Sequence, residues 1–140
     1  DNSHVIPGML RRFHEASQTG AESVAIWGSG KPLREFLHVD DLASACLHLL
    51  TLENPPDLVN VGSGDEVSIG DLARMIAKVT GFKGEIELDS SKPDGTPRKL
   101  MDSTILRETG WKPDYHLEAG LRHAYADFVE SLDAEKLREV

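Results

Sequence analysis

Short runs of β-forming residues alternate with amphipathic helical segments along this chain of 140 residues. The apolar runs Ser23–Trp27 and 58–61 are rich in β-formers, and 85–89 alternates acidic with aliphatic side chains. Between these runs, apolar residues recur every three or four positions, as they do on the buried face of a helix. The alternation predicts a small α/β layered fold with about five helices and three or four short strands.

Helix boundaries are marked by proline, glycine and capping residues. Pro7 suits the first turn of a helix and Gly20 its end, while Ser68, with Asp71 three positions later, predicts a capped helix that Gly81 closes. A buried helix is predicted over 40–52, a short one capped by Ser103 up to Thr109, and a last one from near Leu117, with 34–39 as an extended piece.

Composition narrows the class of protein. Hydrophobic residues are 39% and charged residues 28% of the chain, a composition typical of a folded domain. The sequence contains no apolar run long enough for a membrane span. Cys46 has no second cysteine to pair with, which excludes a disulfide framework. The net charge of −9 argues against nucleic-acid binding. We expect one cytoplasmic domain over 1–132 and a charged, frayed tail over 133–140.

No self-contained catalytic motif is visible. The glycine loops 28–30 and 62–64 match neither nucleotide fingerprint, so we interpret both as turns. The six histidines lack metal-ligand spacing, and one cysteine makes no zinc quartet, so no metal site is expected. Asp40 and Asp41 are adjacent and point about 100° apart on a helix, which favours helix-start acids over a catalytic carboxylate pair.

Positive charge in this acidic chain is locally placed. Basic residues occur on the first helix, near Trp27, and in or directly after the loop 90–98; they are Arg11, Arg12, Lys31, Arg34, Lys92, Arg98 and Lys99. Arginine forks and a stacking aromatic suit a phosphorylated nucleotide if they converge in space. Ordinary surface charge around a core tryptophan is the alternative, and the residues alone leave it open.

Several motifs together resemble one family. They are HVIP at 4–7, LRRFHEA at 10–16, WGSG at 27–30, REFLHVDD at 34–41, NVG at 60–62 and KPDGTPRK at 92–99. They are similar to those of the GDP-L-fucose synthases, which are GDP-4-keto-6-deoxy-D-mannose 3,5-epimerase-4-reductases of the extended short-chain dehydrogenase/reductase superfamily. The resemblance runs over nearly the whole chain. It implies the α/β, C-terminal substrate-binding part of such an enzyme, without the Rossmann NADP half.

The chain departs from the family in what it lacks. The family has a glycine-rich NADP turn, a catalytic Ser, a Tyr-x-x-x-Lys pair and a reactive Cys. Here Tyr115 and Tyr125 are followed four positions later by Ala119 and Val129, and Cys46 does not match the reactive Cys. The resemblance therefore implies that NADP is bound mainly by the other half and that this chain alone is inactive.

The resemblance also implies roles for individual residues. His4 corresponds to a histidine at the cofactor and the sugar that acts as the acid in epimerisation, a role that suits imidazole because its ordinary pKa is near neutrality. Arg12 and Arg34 would neutralise the diphosphate, and Trp27 would border the nucleotide.

A loop carries the last two implied contacts. Lys92 and Asp94 lie where related enzymes close a loop over the nucleotide. Asp94 would either pair with guanine N1–H and N2–H or fix the turn in which it lies.

The implied function is conversion of GDP-4-keto-6-deoxy-D-mannose to GDP-L-fucose, with NADPH as reductant and a homodimer as the whole enzyme. Two alternatives remain. The chain could be part of another NAD(P)-dependent nucleotide-sugar epimerase or dehydratase, or a non-catalytic nucleotide-sugar-binding module. Because few strands are predicted, we also expect an open sheet edge and an exposed apolar face that favour association.

Overall fold

The computed structural model describes the backbone of residues 4–138 and the side chains through residue 132. Within this part, five helices are interspersed with five short strands, which confirms the α/β class. The helices are α1 (Val5–Thr19), α2 (Val39–Leu50), α3 (Ile69–Thr80), α4 (Thr104–Glu108) and α5 (Leu117–Arg138). The strands are β1 (Ser23–Trp27), β2 (Leu33–Glu35), β3 (Glu66–Ser68), β4 (Glu85–Asp89) and β5 (Arg98–Lys99). None of the described helices is both long and apolar enough to cross a membrane.

The parallel pair of β1 and β4 organises the larger half of the fold. Trp27 lies opposite Asp89 at the carboxyl ends of the two strands. Because the strands run in the same direction, the loops that leave these ends, 28–32 and 90–97, start from the same edge of the sheet. This edge therefore brings together residues that are far apart in sequence.

The main core lies between β1, α1, α3 and α5. Phe13 of α1, Ile26 of β1 and Leu72 of α3 are almost completely buried. Phe13 meets Phe82 edge to face, with ring centres 5.4 Å apart. Each such side chain contributes about 1.5–3 kcal/mol by leaving water, so this cluster holds the helices against the strand pair.

A second, three-stranded sheet has the order β3–β2–β5. β2 pairs antiparallel with β3 and parallel with β5. Arg98 on β5 forms a bidentate ion pair with Glu66 on β3, with nitrogen–oxygen distances of 2.7 and 2.6 Å. The pair joins the two outer strands across β2.

The predicted helix ends are largely confirmed. α1 begins two residues before Pro7 and ends at Gly20, whose φ of 65° places it in the left-handed region. Ser68 accepts a hydrogen bond from the Asp71 backbone N–H at 3.0 Å, and Gly81 ends α3 with a φ of 74°. Periodicity and capping residues were sufficient to place these two helices.

The prediction that α2 is a buried helix was wrong. Only Asp41 and Ala45 are buried, and Cys46 is exposed. Ala45 packs with Leu106 and Trp111 in a small second core, which is too narrow to cover the rest of the helix. We call the uncovered side the α2 outer face; it consists of Val39, Leu42, Cys46, Leu47 and Leu50.

The strand predicted over 58–61 is also absent. Leu58 is exposed, and Val59 and Val61 pack beside the second core without pairing to a strand among the described residues. A β-prone run becomes a strand only where a partner supplies the hydrogen-bond ladder. Conversely, β3 and β5 were not predicted, because they have only three and two residues and few apolar side chains.

Two smaller boundaries differ from the prediction. The extended piece over 34–39 is a strand only over Leu33–Glu35, and α2 already begins at Val39. Ser103 precedes α4 but makes no side-chain cap; instead, Asp102 accepts a hydrogen bond from the Thr104 backbone N–H at 3.0 Å.

The end of the chain bears on the predicted domain boundary. The backbone of α5 continues as a helix through Arg138, so residue 132 is not the end of a helix. Residues 139–140 lie outside the described residues. The frayed tail and the boundary at residue 132 stay predictions.

Candidate nucleotide-binding site

Trp27 is an exposed aromatic residue at the carboxyl edge of the parallel pair. The alternation along β1 turns Val24 and Ile26 inward and Trp27 outward, leaving it 68% exposed. Lys92 Nζ lies 5.7 Å from the centre of the Trp27 ring. The core-tryptophan alternative therefore does not apply to Trp27, and the ring and the ammonium group form one exposed, positively charged surface.

Arg34 is held against the 90–97 loop. Its Nη1 donates to the carbonyl oxygens of Leu33 and Thr96, both at 2.7 Å. The side chain is half-buried, and Gly95 lies beside it, where an added Cβ would come within 3.2 Å of Nη2. A guanidinium has five N–H donors, so the group anchors the loop and keeps further donors for a phosphate.

Asp94 is tied to the loop that follows β1. Its Oδ1 accepts from the Ser29 backbone N–H and its Oδ2 from the Ser29 hydroxyl, both at 2.7 Å. The hydrogen bond from the Ser29 hydroxyl, followed by that from its backbone, lowers the pKa of Asp94 below the ordinary value. These contacts are those expected if Asp94 fixes the turn in which it lies. A contact between Asp94 and guanine stays a prediction.

Arg12 lies on α1 and His4 at its N-cap. Arg12 Nη1 donates to the Ala25 carbonyl oxygen on β1 at 3.0 Å, and its Nε to the Gly8 carbonyl oxygen at 3.3 Å. His4 is exposed at the N-cap of α1, where its carbonyl oxygen accepts from the Gly8 N–H. No described hydrogen bond or ion pair joins either side chain to Trp27, Arg34, Lys92 or Asp94. Four of the six predicted residues, Trp27, Arg34, Lys92 and Asp94, therefore meet at the 90–97 loop, and Arg12 contacts β1 two residues before Trp27.

The other basic residues divide into two groups. Arg11 pairs with Glu15 along α1, and Arg98 pairs with Glu66, so both charges are already engaged. Lys31 lies close enough to Asp94 to help lower its pKa, and Lys99 lies opposite Arg34 in the β2–β5 register. The positive charge converges in part, around the 90–97 loop.

Sequence reasoning missed the residues that position this loop and its neighbours. Ser29 was assigned only to a turn, although a hydroxyl between two glycines is a common hydrogen-bond donor in tight turns. Glu35 accepts from the Gly64 N–H at 2.7 Å and from the Met101 N–H at 3.2 Å. No local pattern marks Glu35, because its partners are distant in sequence.

The acids at the start of α2 confirm the helix-start interpretation, and one of them does more. Asp41 is 1% exposed and accepts from the backbone N–H groups of Asp114 at 2.8 Å and Tyr115 at 3.2 Å. It thereby ties α2 to the segment before α5. Asp40, its neighbour, is exposed.

A histidine cluster links the same two helices. The ring nitrogens of His38 and His123 are 3.1 Å apart, His38 stacks on Tyr115 with ring centres 4.0 Å apart, and Asp40 lies nearby. His38 Nδ1 accepts from the Asp40 N–H at 3.2 Å, so the neutral ring can donate from Nε2 to His123. The cluster caps α2 and joins it to α5.

The glycine loops offer no cradle for a dinucleotide. The loop at 28–30 leads into β2 and the loop at 62–64 leads into β3, whereas a dinucleotide fingerprint requires a helix N-terminus directly after the glycines. Positive φ values at Gly28, Gly30 and Gly64 are those of tight turns, which confirms the turn interpretation. Neither glycine loop therefore fits the diphosphate of NADP.

Comparison with known proteins shows what the chain is similar to. Residues 1–62 match the NAD dependent epimerase/dehydratase family. The fold superposes on a GDP-L-fucose synthetase from Naegleria fowleri bound to NADP, with a TM-score of 0.80 and 30% identity, over 94% of this chain and 41% of that one. The chain is thus similar in sequence to the NAD dependent epimerase/dehydratase family and in fold to one part of a GDP-L-fucose synthetase.

Similar proteins with higher sequence identity are named GDP-L-fucose synthases. The chain is 53% identical to a probable GDP-L-fucose synthase 1 from Oryza sativa subsp. japonica, over 97% of this chain and 42% of the relative. It is 52% identical to the GDP-L-fucose synthase of Escherichia coli K12, over 94% of this chain and 44% of that protein. The resemblance seen in the sequence is confirmed, and the chain spans less than half the length of these relatives.

Proposed function

We propose that this chain is the GDP-sugar-binding portion of an enzyme that converts GDP-4-keto-6-deoxy-D-mannose to GDP-L-fucose by 3,5-epimerisation and NADPH-dependent 4-reduction. The observation that carries the proposal is the meeting of Trp27, Arg34 and Lys92 around one loop. Two cationic groups and an exposed ring are what a nucleoside diphosphate requires. The names of the relatives specify guanosine and the sugar.

His4 contributes the chemistry proposed for this portion. C3 and C5 flank the C4 ketone of the substrate, so their protons are acidic through the enolate. An imidazole can return a proton to such a carbon near neutral pH. His4 lies exposed at the N-cap of α1.

NADP belongs to the part of the enzyme that is absent from this chain. Neither glycine loop fits its diphosphate, and the chain holds no Tyr-x-x-x-Lys pair. Hydride transfer to C4 and the accompanying protonation are therefore assigned to the other portion. This chain alone binds the nucleotide sugar but completes no turnover.

The α2 outer face is the proposed contact with that other portion. Leu47 is 66% and Leu50 is 81% exposed, and with Val39 and Leu42 they form an apolar stripe on one helix. The relatives carry more than half of their length outside the matched region. A folded domain packed on this stripe would bury it.

A chimera tests the proposed reaction. The portion of the E. coli relative outside the match, joined to this chain, is expected to form GDP-L-fucose from the 4-keto substrate and NADPH, whereas this chain alone forms none. His4→Asn in the chimera should lower kcat by about two orders of magnitude or more, while Glu22→Gln, an exposed acid on another loop, should not. A folded, NADPH-binding chimera without product contradicts the proposal.

The two alternatives predict other results. Another nucleotide-sugar enzyme would prefer UDP- or dTDP-sugars, and a non-catalytic module would bind GDP-sugars without activity in any chimera. The cytoplasmic location and the homodimer remain predictions from the resemblance.

A further inference from the structure

The 90–97 loop has little apolar burial to hold it. All the residues from Ser90 to Lys99 are exposed. The loop is attached at its start by the Lys92 N–H to the Asp89 carbonyl oxygen and at its end by Leu33 N–H to the Pro97 carbonyl oxygen. Hydrogen bonds in its middle must therefore fix its position.

Ser29 and Asp94 supply the bonds that join the middle of the loop to the β1 edge. Both carboxylate oxygens of Asp94 are engaged by Ser29, at 2.7 Å each. Gly28 permits this approach, because its φ is 86° and an added Cβ would overlap the Asp94 carboxylate. We call the two hydrogen bonds the Ser29–Asp94 latch.

We propose that the Ser29–Asp94 latch positions Lys92 over Trp27 before any ligand binds, so that Ser29 and Asp94 are positioning residues for the nucleotide site. Lys92 lies two residues from Asp94, and Trp27 two residues from Ser29, so fixing one pair fixes the other. The binding consequence rests on the proposed function. The effect on Lys92 and Trp27 does not, because it concerns the free protein.

Acid provides one test of the latch. Because the hydrogen bonds from Ser29 lower the pKa of Asp94, the carboxylate is ionised and the latch is intact throughout the neutral range. The latch is lost only as the pH falls below the ordinary aspartate value of 3.8. The ratio of iodide to caesium quenching of Trp27, described in the next paragraph, should therefore be constant from pH 8 to about pH 5.

Charge-selective quenching of tryptophan fluorescence measures the position of Lys92. Trp27 is exposed and Trp111 is 6% exposed, so quenching by ions reports mainly on Trp27. A nearby ammonium group attracts iodide and repels caesium. The ratio of iodide to caesium quenching should be high in the wild type. The Lys92→Met variant gives the reference value of this ratio in the absence of the ammonium group.

Ser29→Ala and Asp94→Ala should both lower this ratio towards the Lys92→Met value. Asp94→Ala also removes a negative charge, which alone would raise the ratio, so a fall shows that Lys92 has moved. Ser29→Thr retains the hydroxyl and should retain the ratio. Asp71→Ala is the control, since the carboxylate of Asp71 on α3 likewise accepts a hydrogen bond from a serine hydroxyl, that of Ser68, but lies outside the 90–97 loop.

Titration with GDP, compared with the quenching ratio, distinguishes an effect of the latch on GDP binding from a direct contact between Asp94 and GDP. Both latch variants should weaken GDP binding about three- to tenfold, with melting curves confirming that they fold. An unchanged ratio in folded Ser29→Ala overturns the proposal, as does weaker GDP binding in Asp94→Ala with the ratio retained. If the wild type binds no GDP, the proposed function fails, while the quenching ratio still decides the latch.

Discussion

The ammonium nitrogen of Lys92 lies 5.7 Å from the centre of the exposed Trp27 ring, across the edge where β1 and β4 end. A cation held over an aromatic face can act on a nucleotide in two ways, by neutralising phosphate and by closing over the base. Nothing else in the described residues places an exposed tryptophan beside a lysine.

The first prediction concerns this contact. Lys92→Met should weaken GDP binding about three- to tenfold, because it removes a cation beside the proposed diphosphate. Calorimetric titration measures the change. Lys83→Met removes an exposed lysine from the turn after α3 and should leave the affinity unchanged; equal losses in both variants would indicate a general charge effect.

The second prediction concerns Asp41. Asp41→Ala removes the acceptor of two backbone hydrogen bonds and should lower the free energy of unfolding by about 2–3 kcal/mol. Asp40→Ala, one residue earlier and exposed, should cost much less. Urea denaturation of both variants provides the comparison, and similar losses would show that the helix start, rather than the buried carboxylate, matters.

The third prediction concerns the start of α4. Ser103 Oγ is buried, and none of the described residues hydrogen-bonds to it. Ser103→Ala should therefore leave the free energy of unfolding within about 0.5 kcal/mol of the wild type, or raise it. Asp102→Ala should lower it, because Asp102 caps the helix. A larger loss in Ser103→Ala would restore the cap predicted from sequence.

The fourth prediction concerns the α2 outer face. The isolated chain should self-associate at micromolar concentration, since none of the described residues covers its exposed apolar stripe. Leu47→Glu should shift the sedimentation profile towards monomer, whereas Ile105→Glu, an exposed residue on α4, should not. If the wild-type chain is monomeric at all concentrations, the proposal that the α2 outer face is a contact surface is contradicted.

Local sequence was sufficient where the structure is local. The caps of α3, the glycine end of α1 and the bounds of β4 depend on neighbours within a few positions, and each was placed correctly. The predicted alternation of burial along β4 holds only in part, because Leu88 is 45% exposed. The predictions for the segment 58–61, where no strand forms, and for β5, which was missed, were wrong for the same reason. Whether a short run becomes a strand depends on a partner far along the chain, and the two-residue β5 exists only because β2 pairs with it.

The candidate site divides in the same way. Trp27, Arg34, Lys92 and Asp94 were named from motifs, but the motifs did not show that Asp94 contacts Ser29 through both oxygens. The buried role of Asp41 was equally invisible, because its partners are backbone groups near α5. Residue types indicate chemistry, whereas the tertiary fold decides which groups are already engaged.

The nucleotide preference of the wild-type chain tests the central claim most directly. Calorimetric titration with GDP, UDP and dTDP under identical conditions should show saturable binding of GDP, at least about tenfold tighter than either of the others. Equal or tighter binding of UDP or dTDP, or no binding of GDP by the folded chain, would contradict the account.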